Sequence, residues 1–377
     1  MKRILIFSLA YYPHVSGAEV ALKEITDRIK DIEFHMLTLR FKGEPREERV
    51  GNVFVHRLGN GPSYLSKILF VPRAAFAARA MHASLHFDAL WAMMSYMVLP
   101  VVLAQFLSVR PPYLLTLQDG DPFSHTFGRW FILPFRPLLS VGFKRATAVS
   151  ALSTYLAVWA KRMGYKGEVT IIPNGADLRR FIARPHLEFQ TAGQINLVTS
   201  SRLVHKNAID DIIRALVFLP GNIQFVVYGT GPEERALRRL AEELEVADRV
   251  LFKGYVSHEE LARAFVTAHI FIRPSRTEGF GASFVEAMAA GLPVIATQEG
   301  GIADFLFDEK RNPDKPTTGW AVDVNSPVEI ADAVKEIMTN PIKVQKVREN
   351  ALRLVQEKYD WDLIAKQMEK LLAQVIL

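Results

Sequence analysis

Short apolar runs alternate with helix-length stretches along this chain, and they do so in two successive series. The first series comprises residues 3–9, 34–39, 53–56, 89–92, 113–117, 146–149 and 169–172, with a helical pattern over 18–29 and further helical stretches between most of the runs. The second opens at 195–199 and continues through 223–228, 250–252, 270–272 and 293–296. Strands this apolar, interleaved with helices, predict parallel sheets covered on both faces. Between the series, residues 183–194 (ARPHLEFQTAGQ) are polar, contain Pro and Gly, and show no periodicity. The expected class is therefore α/β, with two doubly wound domains spanning 1–185 and 190–360. The last helix, 361–377, follows EKYDW and is expected to pack back onto the first domain. Ligands of doubly wound sheets bind at the carboxyl ends of the strands, and a cleft between two such domains would collect both sets of ends.

The bulk numbers fit that picture. A chain of 377 residues, 49% hydrophobic and 23% charged, has the composition of a globular protein with a large core and the length of two domains. It contains no cysteine, which excludes disulfides and thiolate metal sites and fits a reducing compartment. The start, MKRILIFSLAYYPHVSG, reads as a first strand rather than a signal peptide, since no small-residue cleavage site follows the apolar run. Residues 91–109 carry no charge, but Ser95, Pro100 and Gln105 interrupt them and Asp88 and Arg110 flank them. A membrane span needs about 20 more uniformly apolar residues, so this stretch reads as a buried strand followed by a buried helix. The net charge of +6 favours anionic partners: nucleotides, nucleic acid or an acidic membrane surface.

Three segments hold the residues suited to chemistry. In SRLVHKNAIDDIIRAL, Arg202 and Lys206 occupy the loop after a strand ending at Ser200. Asn207 is a candidate N-cap for a helix with the stripe Ile209, Ile212, Ile213 and Leu216. Two cations at a strand's carboxyl end beside a helix N-terminus suit a bound diphosphate; a pair of solvated loop cations fits the spacing as well. In VVYGTGPEERALRRL a G-x-G turn follows a strand and Pro232 suits the first helical position, which reads as a tight strand-to-helix turn rather than a phosphate loop. In RPSRTEGFGASFVEAMAAGLPVIATQEGG, Glu278 and Glu286 stand at an E-x7-E spacing. Ser283-x-x-Glu286 matches a capping box, with Gly291 as the helix stop and Pro293 after it. That pattern accounts for Glu286 but leaves Glu278, in a turn where Gly279 and Gly281 permit close backbone approach. Carboxylates for hydroxyls and cations for phosphates together describe a nucleotide-sugar.

EGFGASFVEAMAAGLPVIATQEGG resembles, nearly residue for residue, the E-x7-E element of the family-four retaining glycosyltransferases, and SRLVHKN and IIPNGADLRRF resemble that family's two other landmarks, in the same order. The resemblance spans essentially the whole chain. It implies the GT-B fold, two Rossmann-like domains facing across a cleft, with the acceptor held by the first and the donor nucleotide by the second. It further implies that Arg202 and Lys206 clamp the donor diphosphate. Glu278 would contact the donor sugar alongside the backbone of Gly279, Phe280 and Gly281, and Glu286 would bind the ribose. Gly17 in HVSGAE would lie in the loop that approaches the donor phosphates, with Ser16 where many relatives have a second glycine. Gly254, Tyr255 and Val256 would line the base pocket.

One position departs from the family. Relatives carry a histidine where this chain has Gln118, in LLTLQDGDPFSH. Glutamine hydrogen-bonds but does not transfer a proton near neutral pH, and the ionisable groups nearby are Asp119, Asp121 and His125. Asp119 is expected at the reaction centre, with Asp121 and His125 on the acceptor side. The Asp119-Gly120-Asp121 run also mimics a D-x-D metal motif of the other glycosyltransferase fold; here no metal and no cofactor are expected. The first domain's YLSKILFVPRAAFAARAMHA and HTFGRWFILPFRPLLSVGFKR mix cations with large apolar residues. They suit a peripheral membrane contact or a lipid-linked acceptor, and they also suit ordinary helices packed on the sheet. The resulting expectation is a cytoplasmic transferase, peripheral at the inner face of the membrane on the first of those readings. It would use a UDP- or GDP-sugar and a glycan or lipid-linked acceptor, and have no nucleic-acid partner. An NDP-sugar epimerase on the same fold and a catalytically impaired nucleotide-sugar-binding protein are the alternatives.

Overall fold

The computed structural model describes every residue except Val15, Pro62 and 182–192; most of the polar linker, and with it the boundary expected near residue 190, lies outside the described residues. The chain forms two compact units, Met1–Asn174 with Trp361–Leu377, and Gly175–Asp360. The first unit thus ends ahead of the boundary read at 185 from composition. The segment after Asn174 already packs with the second unit: the Ala176 N–H donates to the Tyr359 carbonyl at 2.7 Å, and the Phe181 ring meets Phe265.

In the first unit, β1 (Lys2–Phe7), β2 (Ile32–Leu39), β3 (Glu47–Val50), β4 (Val53–Leu58), β5 (Ala89–Met93), β6 (Tyr113–Leu117), β7 (Ala148–Ala151) and β8 (Val169–Ile171) form one sheet. Its order is β3-β4-β2-β1-β5-β6-β7-β8. All pairings are parallel except β3 with β4. Every residue of β5 and β6 is buried, as required of central strands with helices on both faces. The charge-free stretch 91–109 resolves into the end of β5, a short turn Ser95–Met97 and the buried helix Val98–Phe106. Among the described residues no helix is long and apolar enough to cross a membrane.

The Gly17–Arg28 helix starts from a capping box in which the Ser16 N–H donates to Glu19 Oε2 at 2.7 Å. The Trp361–Ile376 helix lies against it, burying Trp361, Ile364, Met368, Leu371, Leu372 and Val375 in the core that holds Ile4, Ile6, Leu22 and Ile25. Arg28 Nε donates to Asp362 Oδ1 at 2.6 Å beside this seam. At about 1.5–3 kcal/mol for each large apolar side chain removed from water, that stripe makes the final helix part of the first unit's core.

The second unit's sheet contains β9 (Ile195–Ser200), β10 (Ile223–Tyr228), β11 (Val250–Gly254), β12 (Ile270–Arg273), β13 (Val294–Ala296) and β14 (Trp320–Ala321), all parallel, in the order β11-β10-β9-β12-β13-β14. Its core joins Leu197, Phe225 and Ile270 of the strands to Ile212, Ile330 and Val334 of the helices. Because β9 lies beside β12, the loop after Ser200 and the loop after Arg273 leave the sheet side by side.

Candidate active site

The loop after β9 is folded by backbone packing. Gly229 and Gly231, the G-x-G turn after β10, lie against it: a Cβ on Gly229 would fall 1.9 Å from the Ser201 carbonyl oxygen, and one on Gly231 2.2 Å from that of Leu203. The glycines are required by this close approach. The helix beyond begins at Glu234, so Pro232 precedes it instead of opening it. Nor does Asn207 cap the next helix. It lies in the turn His205–Asn207, and its Nδ2 donates to the Arg202 carbonyl at 2.6 Å, closing the loop on itself. The helix Ile209–Ala215 starts from Ala208, in the left-handed region at φ 53°.

Arg202 is exposed and Lys206 half-buried on this loop. Arg276, absent from the sequence-based candidates, straps it. The Arg276 N–H donates to the Lys206 carbonyl at 2.7 Å. Its guanidinium donates to the His205 carbonyl at 2.7 Å, Asp210 at 2.9 Å and Asp211 at 3.1 Å.

The E-x7-E element is organised by a second arginine the sequence reading missed. Arg273, buried at the end of β12, donates to Glu278 Oε2 at 3.0 Å, to Ser283 Oγ at 2.8 Å and to the Ser200 carbonyl at 3.1 Å. Its guanidinium centre is 4.2 Å from the centroid of the Phe284 ring. The capping box expected from Ser283 and Glu286 is not formed. The Ala282–Ala289 helix starts from Gly281 at φ 87°, with no side-chain cap, and Arg273 claims the serine. A Cβ on Gly281 would fall 2.5 Å from the Phe284 ring and 2.8 Å from Arg273 Nη2, so glycine is required by conformation and by space. At the far end of the helix Gly291 adopts φ 77°, the stop read from the sequence.

Glu278 Oε1 accepts the Gly279 N–H at 3.0 Å, and the Glu278 carbonyl accepts from Gly301 at 2.9 Å. Glu286 is buried; burial pushes its carboxyl up to about 7, against the opposing pull of Arg180 and Arg273. His258 Nε2 lies 3.6 Å from Glu286 Oε1, another neighbour sequence spacing did not indicate. Phe280 is buried against Phe305 and Tyr359. Gly254 ends β11 at φ 72°, followed by exposed Tyr255 and half-buried Val256.

In the first unit, Gln118 Nε2 donates to Asn174 Oδ1 at 3.3 Å, and a Cβ on Gly17 would lie 3.7 Å from Asn174 Nδ2. Gly17 and Gln118 are thus brought together by Asn174, a buried residue whose only sequence signal was its place in PNG. The Asp119-Gly120-Asp121 carboxylates part company. Asp119 is buried, and its Oδ2 accepts the Ser95 hydroxyl at 2.6 Å and N–H at 3.3 Å. Asp121 is exposed, with its Oδ2 3.3 Å from His125 Nδ1. No cluster of three or more His, Cys, Asp or Glu side chains suited to a metal ion occurs among the described residues.

Burial pushes the Asp119 carboxyl up to about 6, opposed by the Ser95 hydrogen bonds. Because this lies above the unfolded value of about 3.9, folding disfavours the charged form. The penalty is absent below pH 4, grows as pH rises, and is complete above pH 6. Asp119→Asn keeps an acceptor for Ser95 and removes the charge. Its melting temperature is expected to exceed that of the wild type above pH 6, with the gap closing near pH 4. Melts across this range check it, and a pH-independent gap would refute the buried-charge account.

Residues 17–175 match the family model described as glycosyl transferase 4-like domain, and residues 188–354 match the model described as glycosyl transferases group 1. The GDP-mannose-dependent alpha-(1-6)-phosphatidylinositol monomannoside mannosyltransferase of Mycobacterium tuberculosis is 26% identical over 98% of this chain and 97% of its own. The GDP-mannose-dependent monoacylated alpha-(1-6)-phosphatidylinositol monomannoside mannosyltransferase of Corynebacterium glutamicum is 26% identical over 53% of this chain and 55% of its own. Among solved structures, the sucrose-phosphate synthase of Thermosynechococcus elongatus superposes with a TM-score of 0.84 at 21% identity, covering 100% of this chain and 99% of its own. Anabaena HepE in complex with UDP-glucose does so with a TM-score of 0.79 at 19% identity, covering 99% and 100%. Two Rossmann-like units of this kind are the GT-B fold. The chain belongs to the family-four glycosyltransferases.

Proposed function

We propose that this enzyme transfers a sugar from a nucleotide-sugar, GDP- or UDP-linked, to a hydroxyl of a lipid-linked acceptor, with retention at the anomeric carbon. The observation that carries this reading is the meeting of the Arg202–Lys206 loop with the Arg273–Glu278 pair at the neighbouring ends of β9 and β12. Arg273 and Arg276 tie the loop that carries these cations, suited to a diphosphate, to the segment that carries Glu278, a carboxylate suited to hydroxyls. The lipid-linked acceptor is supported by the Mycobacterium relative, whose name specifies a phosphatidylinositol mannoside acceptor.

In the proposed step the bond from the anomeric carbon to the diphosphate oxygen breaks, and the acceptor oxygen bonds to that carbon on the same face. The acceptor's proton passes to the departing phosphate. Arg202 and Lys206 stabilise the charge developing on the diphosphate, a large contribution in such reactions. Glu278 accepts from the donor sugar's hydroxyls and Glu286 from the ribose. Gln118 positions the sugar by hydrogen bonding, which is all that glutamine offers near neutral pH, and the leaving phosphate acts as base.

The two glutamates should fail differently. Glu286→Ala is expected to weaken binding of free NDP about tenfold, as when a charge-assisted hydrogen bond is lost. Glu278→Ala should bind NDP nearly as the wild type while transfer collapses. Calorimetry with NDP, run beside a transfer assay on a panel of UDP- and GDP-sugars with and without lipid acceptor, checks both; a reversed pattern would exchange the two roles. NDP binding without acceptor-dependent release from any donor would instead indicate a nucleotide-sugar-binding protein. We also propose that the step needs no metal. Transfer is expected to survive EDTA, and loss restored by Mn²⁺ or Mg²⁺ would overturn that.

A further inference from the structure

The Tyr64–Leu85 helix is apolar on two faces. Its inward stripe of Ser66, Phe70, Ala74, Ala75 and Ala78 is buried. A surface helix ordinarily turns polar residues outward, yet this one presents Tyr64, Leu65, Ile68 and Phe76, with Leu65 64% and Phe76 60% exposed. The segment after Phe127 repeats the anomaly: Trp130 is 82% exposed, and Leu133 and Phe135 are exposed beside it. The Tyr64 and Phe131 rings meet edge to face with centroids 6.0 Å apart, joining helix and segment into one patch of the first unit.

The charge carried by the helix and the segment has one sign, and the acid beside them, Glu47, shares a pocket with Leu65 and Arg73 but also with Arg46 and Arg57. Lys67, Arg73 and Arg79 are exposed on the helix, and Arg136 is exposed on the segment. Neither 64–85 nor 122–145 contains an Asp or Glu, and the acid just before the second stretch, Asp121, faces His125. Two copies joined through this patch would set cation against cation. A phospholipid surface answers each feature: Trp and Tyr suit the headgroup layer, Leu, Ile and Phe enter the acyl boundary, and the cations meet lipid phosphates.

We propose that this face docks the first unit onto an anionic bilayer surface. The inference does not depend on the transfer chemistry above, and its test reads lipid binding alone. The full chain is floated with vesicles of phosphatidylcholine containing about one-third phosphatidylglycerol, and with phosphatidylcholine alone, at low and high salt. Binding is expected to the anionic vesicles at low salt and to fall about tenfold or more without the anionic lipid or at high salt. The Leu65→Ser/Trp130→Ser variant and the Lys67→Gln/Arg73→Gln/Arg79→Gln variant should each lose about tenfold or more. Both should keep wild-type melting temperatures and wild-type NDP binding, since every changed side chain is exposed. Absence of wild-type binding to anionic vesicles at low salt, or variants that bind equally well, would overturn the proposal. A wild-type dimer that Leu65→Ser/Trp130→Ser dissociates, with no vesicle binding, would assign the face to self-association instead.

Discussion

Arg202→Ala and Lys206→Ala are each expected to lower kcat/KM by about 100-fold or more, through loss of charge-assisted contacts to a leaving diphosphate. Neither side chain is built into the core: Arg202 is exposed and Lys206 half-buried. The fold around them rests on other groups. Asn207 closes the loop from within, Arg276 straps it from outside, and the glycines after β10 support its backbone. Both variants should therefore melt as the wild type does. Steady-state kinetics beside thermal melts decide the matter, and unchanged kinetics in either variant would remove that cation from the clamp.

Arg273→Met should act in the opposite manner, through the fold as well as the chemistry. The guanidinium is buried, and it satisfies Glu278, Ser283 and the Ser200 carbonyl at once. Breaking a buried charge pair from one side costs about 3–5 kcal/mol, because the remaining charge is left uncompensated. For a unit of this size that corresponds to a fall of roughly 10 °C in melting temperature. Transfer should fail with it, since Glu278 loses the group that holds it. Adding Glu278→Gln to Arg273→Met removes the stranded charge and should recover part of the stability. A double-mutant cycle by chemical denaturation measures that coupling, and strictly additive losses would show that the pair is not the reason Arg273 is buried.

Sequence reading succeeded where a residue's own neighbours determine its environment. Apolar runs such as FVVY in β10 and YLLTL in β6 are buried central strands, as their composition predicts. β3 was missed because EERV is an edge strand whose side chains alternate between exposed and half-buried, with no apolar face to announce it. The capping box at Ser283 and Glu286 was a local pattern without its structure. Gly281 begins that helix in a left-handed conformation, and a side chain from β12 takes the serine. Arg273, Arg276 and Asn174 escaped notice for a related reason. Arg276 and Asn174 meet partners dozens of residues away, and Arg273 ties Glu278 and Ser283, close by in the chain, to the distant Ser200 carbonyl on the neighbouring strand; no spacing rule encodes such meetings. The family's motifs marked the groups suited to ligands; the groups that hold them in place became visible only when the sheets were assembled.

The Trp361–Ile376 helix separates the order of synthesis from the order of completion. Strands β1, β2 and β4 are translated well before the stretch from Trp361 to Val375 that walls their core. Residues 175–360 form an uninterrupted stretch and hold every strand of their own sheet. The second unit therefore has its full complement of residues while the first still waits for its closing helix, and the nascent first unit must keep an apolar seam open until residues 361–375 have been made.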